Sequence, residues 1–185
     1  LLILDSLSKK KYKKTENIIK KLLSLEDSRS YEFVILKTLE SYNHSFLFKK
    51  IGKKDGSLGR IELITQAFQN CYLDSNKTNS HFLNIINLQE NDYSRYLFFY
   101  LGNIINNNDY ETANKISKTI EPLTSGLLIA QVNKWIENNE YNKFNDHFSC
   151  KNENDLLAEF FFLISNLYSS QDQFMQSNFY LNISN

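Results

Sequence analysis

One proline and five glycines in 185 residues leave this chain with little of the punctuation that strands and tight turns need. A turn-rich all-β protein, which needs such punctuation about every ten residues, is excluded on that ground. Net charge is missing as well, with 21 Lys+Arg against 21 Asp+Glu. A nucleic-acid binder neutralises phosphates with a basic surplus, and none exists here. The local runs at residues 9–14, Lys49-Lys50 and Lys53-Lys54 read as solvated turns. No apolar run reaches membrane-spanning length, so no membrane span is expected.

Reactive side chains are equally scarce. Three histidines in separate segments supply no Ser/His/Asp or Cys/His constellation. His147 and Cys150 are two potential metal ligands where zinc needs three or four. The loop from Gly52 to Arg60 lacks the Lys and Ser/Thr of a phosphate loop, and reads as a connector in which Ser57 caps the next helix. Neither an enzyme nor a cofactor or metal is expected. Cys71 and Cys150 lie 150−71=79 residues apart. In a stack of helices that separation places side chains beyond bridging distance, so both are expected as small buried thiols.

Hydrophobic residues, at 42%, are ample for a core, and their spacing is helical. Between residues 94 and 120, Tyr96, Leu97, Phe99, Tyr100, Ile104 and Ile105 share a broad face. Asn106-Asn107-Asn108-Asp109 then interrupts the pattern, because Asn and Asp favour turns and caps. Ala113, Ile116 and Ile120 resume it, and Pro122 closes it. The plan recurs. Residues 127–137 and 141–148 flank Asn138-Asn139-Glu140, and residues 155–168 and 174–183 flank Ser169-Ser170-Gln171-Asp172. Asn154 or Asp155 is the expected N-cap of that last first helix. Residues 1–7 and 12–25 form a further pair. The middle is less regular, with helices expected near 31–42, 58–73 and 78–88.

A marker opens each second helix: Tyr12, His44, Thr78, Tyr110, Tyr141 and Phe174. The gaps are 44−12=32, 78−44=34, 110−78=32, 141−110=31 and 174−141=33. A period in this range predicts stacked helix pairs. The expected fold is all-α, a right-handed α-solenoid of antiparallel pairs. Its approximate units are 1–25, 31–52, 58–88, 93–121, 125–149 and 154–184 within one array. One pair buries one face only, so its neighbours must complete the core. The run Phe160-Phe161-Phe162-Leu163-Ile164 is apolar nearly all round and is expected to be buried on several sides. Replacing Phe161 by Ala is expected to cost about 3–5 kcal/mol.

The copies resemble the tetratricopeptide repeat, in which an aromatic opens the second helix and a small residue follows three positions later. Tyr110…Ala113 fits best, then Phe174…Ser177 and Tyr12…Thr15. Tyr141…Phe144 places a ring where a small residue belongs, and His44…Leu47 and Thr78…His81 fit by spacing alone. The usual turn glycine is replaced by Asn or Lys. The chain is also similar to uncharacterised repeat proteins of AT-rich bacteria. The resemblance implies a protein- or peptide-binding scaffold or adaptor, with a concave surface lined by first helices. Eight positions before each marker stand Leu4, Leu36, Asn70, Gly102, Asn133 and Asn166. Asn70, Asn133 and Asn166 form a candidate polar ladder for a peptide backbone, since Asn both donates and accepts. Twelve before stand Phe98, Ile129 and Phe162, a candidate apolar floor, with Arg95 placed to meet a carboxylate. The alternatives are an accessory domain of a larger enzyme or transport system, or a carbohydrate- or lipid-binding face of Phe98, Phe99, Trp135 and Phe162. Both ends read as cut from a longer chain, so compartment and oligomeric state are not legible.

Overall fold

The computed structural model describes residues 2–52, 56, 58–88, 94–119 and 127–184. The expectations for Lys53, Lys54, Ser57 and Pro122 fall outside them. Among the described residues there are eleven helices and no strand: α1 Leu2–Ser8, α2 Tyr12–Leu23, α3 Tyr31–Phe48, α4 Gly59–Tyr72, α5 Thr78–Ile86, α6 Ser94–Asn106, α7 Tyr110–Ser117, α8 Leu127–Glu137, α9 Asn142–His147, α10 Glu153–Ser169 and α11 Phe174–Ser184. The all-α expectation holds. The chain forms two units. The first combines Leu1–Leu73 with Cys150–Asn185, and the second is Asp74–Ser149.

Four turns share one geometry. Lys10, Asn108, Asn139 and Asp172 each adopt a positive φ, at 54°, 60°, 58° and 57°. In each turn that residue's N–H donates three residues back: Lys10 to Leu7, Asn108 to Ile105, Asn139 to Ile136 and Asp172 to Ser169. The next N–H donates five back: Lys11 to Ser6, Asp109 to Ile104, Glu140 to Trp135 and Gln173 to Tyr168, at 2.9, 3.1, 2.7 and 3.0 Å. This is the Schellman closure, which satisfies the orphan carbonyls of a helix end and reverses the chain. The marker follows two positions after the left-handed residue in all four copies, as Tyr12, Tyr110, Tyr141 and Phe174. The short polar side chains of Asn and Asp in three turns tolerate this conformation, whereas the long side chain of Lys10 offers no such local bond to offset its Cβ crowding. Lys10→Gly is therefore expected to raise stability by about 0.5–1 kcal/mol, read as a higher denaturation midpoint at unchanged slope.

The third position after each marker is buried: Thr15 and Ala113 at 0%, Phe144 at 1% and Ser177 at 8% exposure. Phe144 fits where a small residue was expected because Gly102 of α6 faces it. A Cβ at position 102 would lie 3.4 Å from Phe144 Cδ1. The hydroxyls of Tyr110 and Tyr141 donate to the side-chain oxygens of Asn108 and Asn139, at 3.0 and 2.9 Å. Their rings stack at 4.5 Å.

His44 departs from the scheme. It lies within α3, which runs unbroken through Tyr42, Asn43, Ser45 and Phe46, all buried. The chain first reaches a left-handed residue at Lys49, whose N–H donates to the Ser45 carbonyl. Residues 31–52 therefore contain one helix in place of the expected pair. Thr78 does open α5, but three further residues separate it from the left-handed Asp74. The N-cap of α10 is Asn152, whose side chain accepts from the Asn154 N–H, rather than Asn154 or Asp155.

In the second unit α6 packs on α5, α7 and α8. Phe144 lies parallel to Phe98 at 5.7 Å and edge-on to Trp135 at 5.6 Å. Leu101, Val132 and Ile136 complete an interior closed to solvent.

In the first unit α2 packs along α3, and α10 along α11. An open stack would bring each pair against its sequence neighbours only. Here α10 instead meets elements from the start of the chain. Tyr42 packs against Phe160 at 6.0 Å, and Tyr31 against the edge of Tyr168 at 5.5 Å. Phe160, Phe161 and Ile164 are buried at 3%, 3% and 1%. The cysteine expectation is corrected by the same packing: Cys71 and Cys150 form a disulfide with Cα atoms 5.7 Å apart. The chain leaves this unit after Leu73 and re-enters it at Cys150, so residues distant in sequence become neighbours.

Candidate binding groove

The first unit carries an apolar groove of about 220 Å³. Its walls come from α1, through Ile3 and Leu4, and α11, through Phe179 and Ile183. Its floor comes from α3, through Leu36 and Leu39, and α10, through Phe161. Tyr180 packs parallel to Phe161 and Tyr168, at 5.9 and 5.4 Å, and so anchors α11 by one ring. Phe179 is then left 48% exposed, and Phe174 and Met175 also face solvent. Ser177 is the one buried residue of α11 among those described. The apolar residues of α11 are spread around the helix between Gln176, Ser177, Asn178 and Asn182, so packing one face on α10 leaves other apolar side chains facing water. Among the described residues that line the groove, the charged ones are Glu26 and Glu32. The Glu32 carboxylate accepts from Tyr168 Oη at 3.3 Å.

A second, polar groove of about 540 Å³ lies in the same unit, beside α2 and α3. Its charges are matched internally, Lys20 with Glu16 at 2.5 Å and Lys37 with Glu40 at 3.2 Å. The buried Asn43 on its wall donates to the Tyr12 carbonyl at 3.1 Å.

At the disulfide, polar groups knit the returning chain to the first helices. The Glu153 side chain is 16% exposed and accepts from Tyr12 Oη at 2.5 Å and Tyr72 Oη at 2.7 Å. Lys49 Nζ contacts the same tyrosine hydroxyl and lies 3.9 Å from Glu153. Lys151 Nζ donates to the carbonyls of Cys71 and Tyr72, at 3.1 and 2.8 Å, which places a cation at the negative end of α4. Burial raises the Tyr12 and Tyr72 hydroxyls above their ordinary value of 10.0, and the Glu153 carboxylate raises them further. Burial also raises Tyr42 and Tyr168. A group whose pKa is raised on folding contributes its full stability below the unfolded value. That contribution is lost as pH climbs through the folded value. Stability is therefore expected to fall above pH 10, with the tyrosinate absorbance of Tyr12, Tyr42, Tyr72 and Tyr168 appearing together with unfolding rather than before it. Titration of these four tyrosines at about pH 10 with the fold intact, read by their Phe replacements, would contradict this.

The six residues proposed from sequence divide between the two units. Asn70 on α4 is 1% exposed and donates to the Gln66 carbonyl at 2.8 Å. Phe162, half-buried, and Asn166, exposed, lie one turn apart on α10. In the other unit, the Arg95 guanidinium sits over the Phe99 ring at 5.7 Å. Phe98 is 5% exposed in the core, and Asn133 on α8 is 9% exposed and accepts from Ser117 Oγ at 3.1 Å. Leu4 and Leu36, which share the aligned position with the asparagines, do line the groove. Glu26, Glu32, Phe179 and Tyr180 escaped sequence reasoning. The signal available for Phe179 and Tyr180 was the absence of any single polar stripe between Phe174 and Ile183; Glu26 and Glu32 carried none. Cys150 is occupied by its disulfide and His147 Nδ1 lies 2.9 Å from the Lys143 carbonyl oxygen, so this pair is not a metal centre.

The described residues define an all-helical protein whose neighbouring helices pack together. No family model, no curated protein and no solved structure matches the chain.

Proposed function

We propose that this chain is a tetratricopeptide-like helical-repeat protein that binds another protein or a peptide, as a scaffold or adaptor, and performs no chemistry of its own. The observation that carries this reading is the recurrence of one turn geometry, with its marker and buried third residue, in four helix pairs. Repeated pairs of this kind build extended surfaces, and extended surfaces suit macromolecular partners. The exposed apolar groove of the first unit supplies a place for contact. The aromatic-face alternative has less support, because Phe98, Phe99 and Trp135 are buried at 5%, 3% and 4%. The Cys71–Cys150 bond favours an oxidising compartment, where such bonds persist.

The test is capture on the immobilised, oxidised chain, followed by titration of each purified candidate partner. A saturable one-to-one complex supports the reading. Absence of any saturable partner from the native source contradicts it.

A further inference from the structure

We infer that the groove between α1, α3, α10 and α11 receives an amphipathic helix of a partner protein whose apolar stripe is flanked by Lys or Arg. The inference rests on the protein-binding reading and names the chemistry of the partner.

Size argues first. Small-molecule pockets hold about 300–1,000 Å³, and this groove is smaller and open along its length, at about 220 Å³. It suits a few inserted side chains rather than a whole ligand. Length argues next. Along α3 the lining runs from Glu32 to Leu39, 39−32=7 residues, or about 10 Å at the helical rise of about 1.5 Å. That span matches residues i, i+3 or i+4, and i+7 of an incoming helix. An extended strand is disfavoured, because the described walls are helices whose backbone groups are already bonded, with no sheet edge to extend. Charge argues last. Among its described lining residues the groove has two carboxylates and no cation, so a cationic flank is complementary and an acidic one is repelled. Insertion would cover Phe179, which is half-exposed beside the half-buried Tyr180.

The test uses two fluorescent synthetic peptides with the same helical apolar spacing, one flanked by Lys and one by Glu, titrated into the oxidised chain. The Lys peptide is expected to bind about tenfold more tightly, the sum of two surface charge pairs. Glu26→Lys with Glu32→Lys should reverse the preference, and Phe179→Asp should abolish both interactions. All three positions are substantially exposed, and unchanged helical circular dichroism will show that the variants fold. Equal binding of the two peptides, or a preference untouched by charge reversal, overturns the inference. So does a self-association of the chain that Phe179→Asp dissolves, since a second copy would then be the occupant. A captured partner that binds wild type and the charge-reversed variant equally overturns the groove assignment but leaves the protein-binding reading standing.

Discussion

Reduction of the Cys71–Cys150 bond, or its removal by Cys71→Ser with Cys150→Ser, is expected to lower the unfolding free energy by about 2–4 kcal/mol. The bond closes a loop of 79 residues. Chain-entropy arguments assign a loop of that length about 4.5 kcal/mol at room temperature, and measured effects usually fall below that figure. The loop contains the whole of Asp74–Ser149, so the bond joins the two points where the chain leaves and rejoins the first unit. Its loss increases the freedom of the unfolded chain, while the Glu153–tyrosine contacts still draw α10 toward α2 and α4. The native fold should therefore persist in mild conditions and fail at lower denaturant. Denaturation curves with and without reductant measure this directly. Coincident midpoints would show that the bond contributes nothing.

Phe144→Ala is expected to cost about 3–5 kcal/mol, among the largest effects of a single substitution in the second unit. The ring is 1% exposed and touches Phe98, Trp135 and the open face of Gly102. Alanine suits this position in the repeat pattern, as Ala113 shows in the preceding copy. Here it would leave a void, because Gly102 has no side chain to fill it. Gly102→Ala is expected to recover part of the loss in the Phe144→Ala background, by placing a methyl in the vacated space. Chemical denaturation of the two single variants and the double variant gives the coupling. A cost below 1 kcal/mol for Phe144→Ala would contradict this account of the core.

The sequence made the helices of the last three copies legible because each has a broad apolar face and an Asn- or Asp-rich break. For α8 the expected bounds of 127–137 coincide with those observed. Asn108, Asn139 and Asp172 were recognisable as turn residues, since their side chains tolerate the left-handed conformation. Lys10 fell within the basic run read as a turn, but nothing in lysine marks it as the left-handed residue. Spacing alone misled at His44, where α3 continues without a turn residue until Lys49. The disulfide and the Tyr12–Glu153–Tyr72 contacts were invisible for a different reason. Periodicity describes neighbours along the chain, whereas these contacts depend on the return of α10 to the first helices. The groove was half legible. Leu4 and Leu36 fell at the aligned positions, but the exposure of Phe179 depends on which face of α11 is buried, and its apolar residues, scattered among polar ones, leave that choice to packing; Glu26 and Glu32 join the groove only through the return of α10 and α11 to α3.

Protein binding through the first unit is the central claim, and hydrogen exchange on the oxidised chain tests it most directly. Amide exchange is compared with and without the partner recovered by capture. The account predicts added protection along α3 from Glu32 to Leu39 and along α11 from Phe179 to Ile183, with the core amides around Leu101 and Val132 unchanged. A saturated complex with no added protection on α3 or α11 would contradict it.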